Sequence, residues 1–482
     1  MNSPAPAGSA RPKCPPGFRA RRGLNWGFLG LLYTSFYLCR YNLSIANKSI
    51  SDEFGFSHAD MGVIITTALL TYAFGQIING LLADKIGGKK AMLIGATGTI
   101  VMNILFGAVS LLPAQIQTAP GSTAKVFTHV HLFGGEVALS LLSLFVVVRG
   151  MDGYLQAFGA PGMIKINTAW FAHRERGRFA GIFGFMINLG RFGIFKLGPA
   201  LLAGFTFLGL WQVPPLHWRW LFWVPAAVCG VVALGMALAV KCTPEEAGFP
   251  EVREFVGGTE SASDTKIRLI DILLTIVSKP VLWVTALAYA CTGAVRQSVD
   301  QWFPRFMAEA HHLDLNSNQF QYLGFLIPFV ASTGSLISGY LSDMAFQGRR
   351  APVAAGIYFL DTAVILLAAQ FHSANAAVFF LVLISFTANA THSLLGTAAA
   401  MDIGGRKSVG FASGIIDSFQ YFGGSLAGYF LGKLLDQNWG WYFYFMAPFG
   451  LIGGLLMLTI LGQVTADVQN PRPMPPKPPL AA

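Results

Sequence analysis

Apolar residues run along this chain in long blocks separated by short polar turns. About twelve blocks reach the ~20 residues that a helix needs to cross the hydrocarbon core of a bilayer. They cover 24–47, 62–84, 90–113, 138–164, 178–206, 219–241, 281–304, 318–343, 351–371, 376–398, 408–435 and 440–463. The pattern predicts an all-α polytopic membrane protein with twelve transmembrane helices, because lipid offers a backbone no partner and a helix satisfies its own. Polar composition divides the chain further. A basic tail over 1–23, a linker over 241–280 and a Pro-rich tail over 466–482 bracket two blocks of six spans, 24–240 and 281–465. Both tails carry little apolar surface to bury and are expected to be disordered cytoplasmic segments.

The two blocks repeat. After the second span comes Gly80-Leu-Leu-Ala-Asp84-Lys-Ile-Gly87-Gly-Lys89-Lys90, and after the eighth comes Gly339-Tyr-Leu-Ser-Asp343, closing on Arg349 and Arg350. Asp84 and Asp343 are 259 residues apart, and Arg40 and Arg296, inside the first and seventh spans, are 256 apart. Parallel six-helix repeats with a substrate site near mid-membrane are a recurrent transporter design. Two pseudo-symmetric six-helix bundles are therefore expected.

Composition agrees. Of 482 residues 54% are hydrophobic and 12% charged, about half the ~25% charged share of soluble domains. The net charge of +10 does not describe a nucleic-acid surface, because Lys and Arg gather in the N-terminal tail and in alternate loops. The positive-inside rule then predicts both termini in the cytoplasm. The cysteines Cys14, Cys39, Cys229, Cys242 and Cys291 have no paired spacing, so no disulfide framework is expected. The first span is long enough to cross a membrane and is read as a helix that stays, not a cleaved signal.

Charges inside the spans carry the chemistry. A charged side chain at the bilayer centre costs about 2.5–3.5 kcal/mol on insertion scales and usually faces a cavity. Arg40 and Arg296 stand at similar depth by helical rise. A guanidinium fork donates two parallel hydrogen bonds to a phosphoryl group and stays charged when buried. The expectation is a paired cationic site for a phosphate-like anion. Asp300, one turn after Arg296, is placed to hold it in the empty site. Asp417 in the eleventh span is expected to pair with a site arginine or to read substrate hydroxyls. Tyr37, Tyr41 and Tyr421 are candidate lining residues. Arg149 and Asp152 are expected to compensate each other at i, i+3. Asp84, Lys89, Lys90, Asp343, Arg349 and Arg350 are expected to latch loops on one membrane face.

At these residues the chain resembles a known family. The run Tyr37-Leu-Cys-Arg40-Tyr41-Asn42 followed by Gly55-Phe56-Ser57-x-x-Asp60, and Arg296-x3-Asp300-x-Trp302-x-Pro304, look like the organophosphate:phosphate antiporter family of the major facilitator superfamily. Gly153-Tyr-Leu-Gln156, Trp170-Phe171-x-x-Arg174-Glu175-Arg176-Gly177 and Tyr421-Phe-Gly423-Gly424-Ser425 extend the likeness, and the Gly80–Lys90 run resembles the superfamily's loop motif. The resemblance implies a secondary transporter that exchanges a sugar phosphate, glycerol phosphate or phosphoglycerate for inorganic phosphate by alternating access. It implies phosphate binding by Arg40 and Arg296, and a bacterial inner membrane location. Three positions depart from the family pattern. Gln76 and Tyr41 stand where lysines are usual in the family or its glycerol-phosphate branch, and Ile187, just before Asn188, stands where that branch has a histidine. Arg191, one turn beyond Ile187, is read either as the replacement charge or as a structural partner for a neighbouring acid.

Two other readings remain open at this point: a transporter-like membrane sensor of a phosphorylated metabolite, and a proton-coupled symporter of another organic anion with Asp417 as proton carrier. No nucleophile–base pair or metal spacing occurs, His129, His131, His311 and His312 included. An enzyme is not expected, nor a cofactor, metal or nucleic-acid partner. The expected partners are a phosphorylated small molecule, inorganic phosphate and lipid, around a monomer.

Overall fold

The computed structural model describes residues 15–113, 115–117, 125–132, 135–171, 176–207, 209–249, 277–346, 349–399 and 414–461. Every predicted span corresponds to helix. The first three are α1 (Phe18–Phe54), α2 (His58–Ile86) and α3 (Gly88–Val109). The fourth is divided into α4 (Leu141–Gln156) and α5 (Gly159–Trp170), with a break of two residues between them. The fifth to tenth are α6 (Arg176–Ala203), α7 (Trp220–Ala239), α8 (Pro280–Glu309), α9 (Asn318–Ala345), α10 (Arg350–Ala368) and α11 (Ala374–Ser393). The eleventh is α12 (414–426) followed by α13 (Tyr429–Leu435), and the last is α14 (Trp441–Thr459).

Among the described residues, nine helical stretches are long and apolar enough to cross a membrane. The helices outside that set are α1, α8 and the α12–α13 pair. α1 has 37 residues, so it is about 55 Å long at ~1.5 Å per residue and overruns a ~30 Å core.

Local rules explain the boundaries. Gly87, between α2 and α3, has φ 90°, a conformation costly for any residue with a Cβ. Ser57 and Asp60 open α2 as a reciprocal cap: the Asp60 carboxylate accepts from the Ser57 N–H and hydroxyl at 3.0 Å each, and the Ser57 hydroxyl accepts from the Asp60 N–H at 3.1 Å. Ser317 and Ser373 cap α9 and α11.

Three expectations are corrected. The tail expected over 1–23 is helical from Phe18, because Phe18 stacks on Trp170 at 5.7 Å and Arg21 donates to the Ala239 carbonyl at the end of α7 at 2.5 Å. The fourth span opens at Leu141 and not at 138, after strands: β1 (Gln115–Gln117) runs antiparallel to β2 (Lys125–Leu132), followed by β3 (Gly135–Ser140). The fifth span stops at Ala203, where Gly204 turns at φ 83° into a hairpin of β4 (Phe205–Phe207) and β5 (Trp211–Val213). Most of the 241–280 linker, the segment around Arg174 and the C-terminal tail lie outside the described residues.

The chain forms two compact units. One comprises 1–42, 74–114 and 128–267; the other comprises 43–73, 115–127 and 268–482. In the first, α3 packs on α4, α5 and α7, and Phe106 stacks on Phe222 at 4.4 Å. In the second, α10 and α8 flank α14 while α9 packs on α11. Its core holds Tyr289, Tyr358, Ile416 and Met457. The end of α1 and the start of α2 belong to this second unit.

Candidate functional site

Each unit buries one of the two arginines that the repeat singles out, and each to the same degree: Arg40 and Arg296 are both 7% exposed. In the first unit Arg40 Nε donates to Gln156 Oε1 at 3.0 Å, and its guanidinium lies 4.7 Å over the Tyr37 ring. The glutamine does not choose its orientation alone. Its Nε2 donates to both Asp152 oxygens at 3.0 and 3.1 Å, and Arg149 Nη1 donates to Asp152 Oδ2 at 2.8 Å. Arg149 also donates to the carbonyls of Cys39 at 3.1 Å and Arg40 at 2.5 Å. A row of three polar side chains one turn apart on α4 thus ties down the α1 backbone beneath Arg40 and turns an acceptor toward its side chain. Arg149 and Asp152 neutralise each other as expected, which removes most of the penalty of two buried charges.

Arg191 on α6 is fully buried. Its Nη1 donates to Asn188 Oδ1 at 3.3 Å and its guanidinium lies 5.6 Å from the Tyr41 ring centre. Tyr41 stacks on Tyr37 at 5.9 Å, so one aromatic pair lies beside both Arg40 and Arg191. Gln76 is buried in the same unit.

In the second unit Arg296 Nε stands 3.7 Å from Asp300 Oδ2. That is beyond hydrogen-bond reach, so this attraction is Coulombic. His392 on α11 completes this side: both its ring nitrogens lie 3.3 Å from Arg296 Nη1, and the Tyr289 hydroxyl meets its Nδ1 at 2.5 Å. Tyr72 and Tyr421 face each other at 4.3 Å between ring centres. Asp417 is half-buried on α12.

The sequence reading missed His392, and also Asp361 of α10, whose buried carboxyl takes a 2.5 Å hydrogen bond from Thr387. The signal was present in both cases: an ionisable residue inside an apolar span. Gln156 was noted as part of a motif but not as a partner of Arg40.

The loop residues divide. Asp84 meets Lys165 of α5 at 3.3 Å, and Lys89 donates to the Val240 carbonyl at the end of α7 at 2.8 Å. Asp343 meets Arg350 across its own turn at 2.6 Å. Lys90 is exposed, and the Arg349 carbonyl accepts from Ser342.

Arg40, Arg191 and Arg296 are thus buried in a chain with nine helical stretches, among the described residues, long and apolar enough to cross a membrane. The chain belongs to the Major Facilitator Superfamily, whose profile matches residues 29–428. It is 25% identical over 439 residues to a probable hexose phosphate transport protein of Chlamydia trachomatis, covering 87% of this chain and 86% of that one. It is 26% identical to the membrane sensor protein UhpC of Escherichia coli, covering 91% of each, and 26% identical to the glycerol-3-phosphate transporter of Bacillus subtilis, covering 86% of each. Among solved structures, a bacterial homologue of the human lysosomal transporter Spinster, inward-facing and unoccupied, matches with a TM-score of 0.64 at 16% identity, over 92% of this chain and 96% of that one. The last shows the fold. The family read from the motifs is the one to which the named relatives point.

Proposed function

We propose that the protein exchanges an organophosphate for inorganic phosphate across the membrane, with one arginine from each half of the repeat gripping the phosphoryl group. The observation that carries this reading is the pair Arg40 and Arg296: 256 residues apart, nearly the 259 that separate Asp84 from Asp343, and equally buried. The functions for which the relatives are named, hexose phosphate and glycerol-3-phosphate transport, support the substrate class.

Exchange follows from charge. Two buried guanidinium groups without an anion resist the closure of a low-dielectric path around them, and a bound phosphate dianion removes that resistance. The loaded carrier turns over and the empty one does not. Gln156, Tyr37 and the Arg149–Asp152 pair position Arg40; Asp300, His392 and Tyr289 position Arg296. Arg191 with Asn188, together with Gln76, Tyr41, Asp417 and Tyr421, falls to the recognition of the organic part. The membrane is the bacterial inner membrane, both termini face the cytoplasm, and the unit of function is the monomer.

The test is uptake of labelled phosphate into phosphate-loaded proteoliposomes, challenged with sugar phosphates, glycerol phosphate, phosphonates and carboxylates. Rapid counterflow blocked by one organophosphate is the expected result. The match to a membrane sensor favours one alternative, for which binding without flux would be the outcome.

A further inference from the structure

His58 is the first residue of α2, and its ring is held between two carboxylates far away in the sequence. Its Nδ1 lies 2.9 Å from Asp436 Oδ1, just after α13, and its Nε2 lies 2.8 Å from Glu309 Oε2, the last residue of α8. Asp436 also caps α2 from a distance, accepting from the backbone N–H of His58 at 2.7 Å and of Ala59 at 3.0 Å. Glu309 accepts in addition from Trp439 Nε1 at 3.1 Å and from Arg305 Nε at 2.6 Å. Arg305 continues to α1, donating to Asn47 and Ser51 at 2.9 Å each. The Trp439 and Trp302 rings close the sides at 5.3 and 6.1 Å from the imidazole. Four elements thus converge on one ring.

A carboxylate only accepts. An imidazole facing carboxylate oxygens from both nitrogens satisfies both contacts only as the imidazolium, since a neutral ring must turn one lone pair toward an anion. We propose that His58, Glu309 and Asp436 form a proton-binding site that fastens this end of α1 and α2 to α8 and α13, so that acid on that side of the membrane holds the end shut. The site is separate from the arginine pair and rests on the transport reading only for its consequence.

Several charged groups on the packed elements have partners of their own. Lys48 and Asp52 pair with each other at 2.6 Å, and Asp60 is engaged by Ser57. His311 packs edge-on against Phe306 at 4.9 Å. Glu309 lies beyond the apolar span 281–304. Burial alone would raise its carboxyl, but the His58 hydrogen bond and the Arg305 guanidinium outweigh burial and hold it down at about 2. Glu309 therefore stays charged through the neutral range and faces the imidazole as an acceptor. On the positive-inside reading this end faces the outer side.

The experiment has two readouts. In proteoliposomes with the inner pH fixed, lowering the outer pH from about 8 to about 5.5, the range in which histidine titrates, should slow phosphate exchange about tenfold, the size expected for one hydrogen bond between charged groups. His58→Gln should exchange at an outer rate that varies only as the phosphate itself titrates, and Glu309→Gln should shift the profile. A wild-type pH profile retained in His58→Gln overturns the proposal. Independently of any flux, the ring 15N spectrum of the purified protein, with His58 assigned by its loss in His58→Gln, should show both nitrogens protonated at mildly acidic pH. A neutral His58 ring there overturns the proposal even if transport is found, whereas imidazolium signals without flux would keep the proton site and sink the transport reading.

Discussion

A guanidinium buried in a membrane helix needs something to aim it, and at Arg40 that something is Gln156. The amide is turned by Asp152, and Asp152 is held in turn by Arg149. Gln156→Leu keeps nearly the same volume and deletes the acceptor. A hydrogen bond to a charged group is worth about 1.5–3 kcal/mol, so apparent phosphate affinity should fall by about tenfold or more while the maximal rate falls less. Saturation curves for phosphate exchange, on protein whose melting temperature is within a few degrees of wild type, would check this. An unchanged half-saturation point would mean that Gln156 only packs. The residue scale is also where the sequence is least transparent. Arg40 and Arg296 stood out because charge is scarce in apolar spans, whereas a glutamine there has no charge to mark it. His392 and Gln156 acquire meaning only when folding brings α11 to α8 and α4 to α1.

At the scale of elements, helices approach where side chains are absent. A Cβ on Gly62 would lie 2.5 Å from the Gly428 carbonyl oxygen, backbone against backbone, at the contact of α2 with the break between α12 and α13. Thr66 fastens the same contact, donating to the Ser425 carbonyl and accepting from the Tyr429 N–H, both at 2.8 Å. Nothing there can rotate aside, so Gly62→Ala should loosen this end without unfolding the protein. A cysteine replacing Thr66 should react faster with an impermeant maleimide in the Gly62→Ala background, and equal reaction rates would count against a close helix contact. The helices themselves were legible: each apolar span is mostly helix where it is described, although α1 runs six and seven residues beyond the span 24–47 and the stretch 408–413 lies outside the described residues. The strands are short and flanked by apolar spans, and their period-two signal is slight: Val126 and Thr128 are both buried in β2. The start of α1 was missed because basic residues concealed a helix whose Phe18 packs on Trp170.

On the scale of the whole molecule the repeat is used unequally. Asp84 reaches another helix to meet Lys165, whereas Asp343 meets Arg350 across its own turn. Both carboxylates are largely exposed, with side-chain exposures of 76% and 63%. Such pairs are worth at most about 1 kcal/mol each, so Asp84→Asn and Asp343→Asn should leave thermal stability within about 1–2 °C, taking the smaller shifts expected for a protein of this size. If the pairs act instead on conformational balance, these variants should alter exchange rate far more than melting temperature. Scanning both on the same preparations separates the two roles. Duplication was readable from Asp84, Asp343, Arg40 and Arg296 alone. The division of labour between the copies was not, because it depends on partners such as Lys165 that no copy of the motif contains.

The central claim is that one arginine from each half grips the phosphoryl group. Its most direct measurement is phosphate exchange by Arg40→Lys and Arg296→Lys in proteoliposomes, alongside the melting curve of each purified variant. Lysine keeps the charge and loses the planar fork. Exchange reduced to background in both folded variants is the predicted result; robust exchange in either one would contradict it.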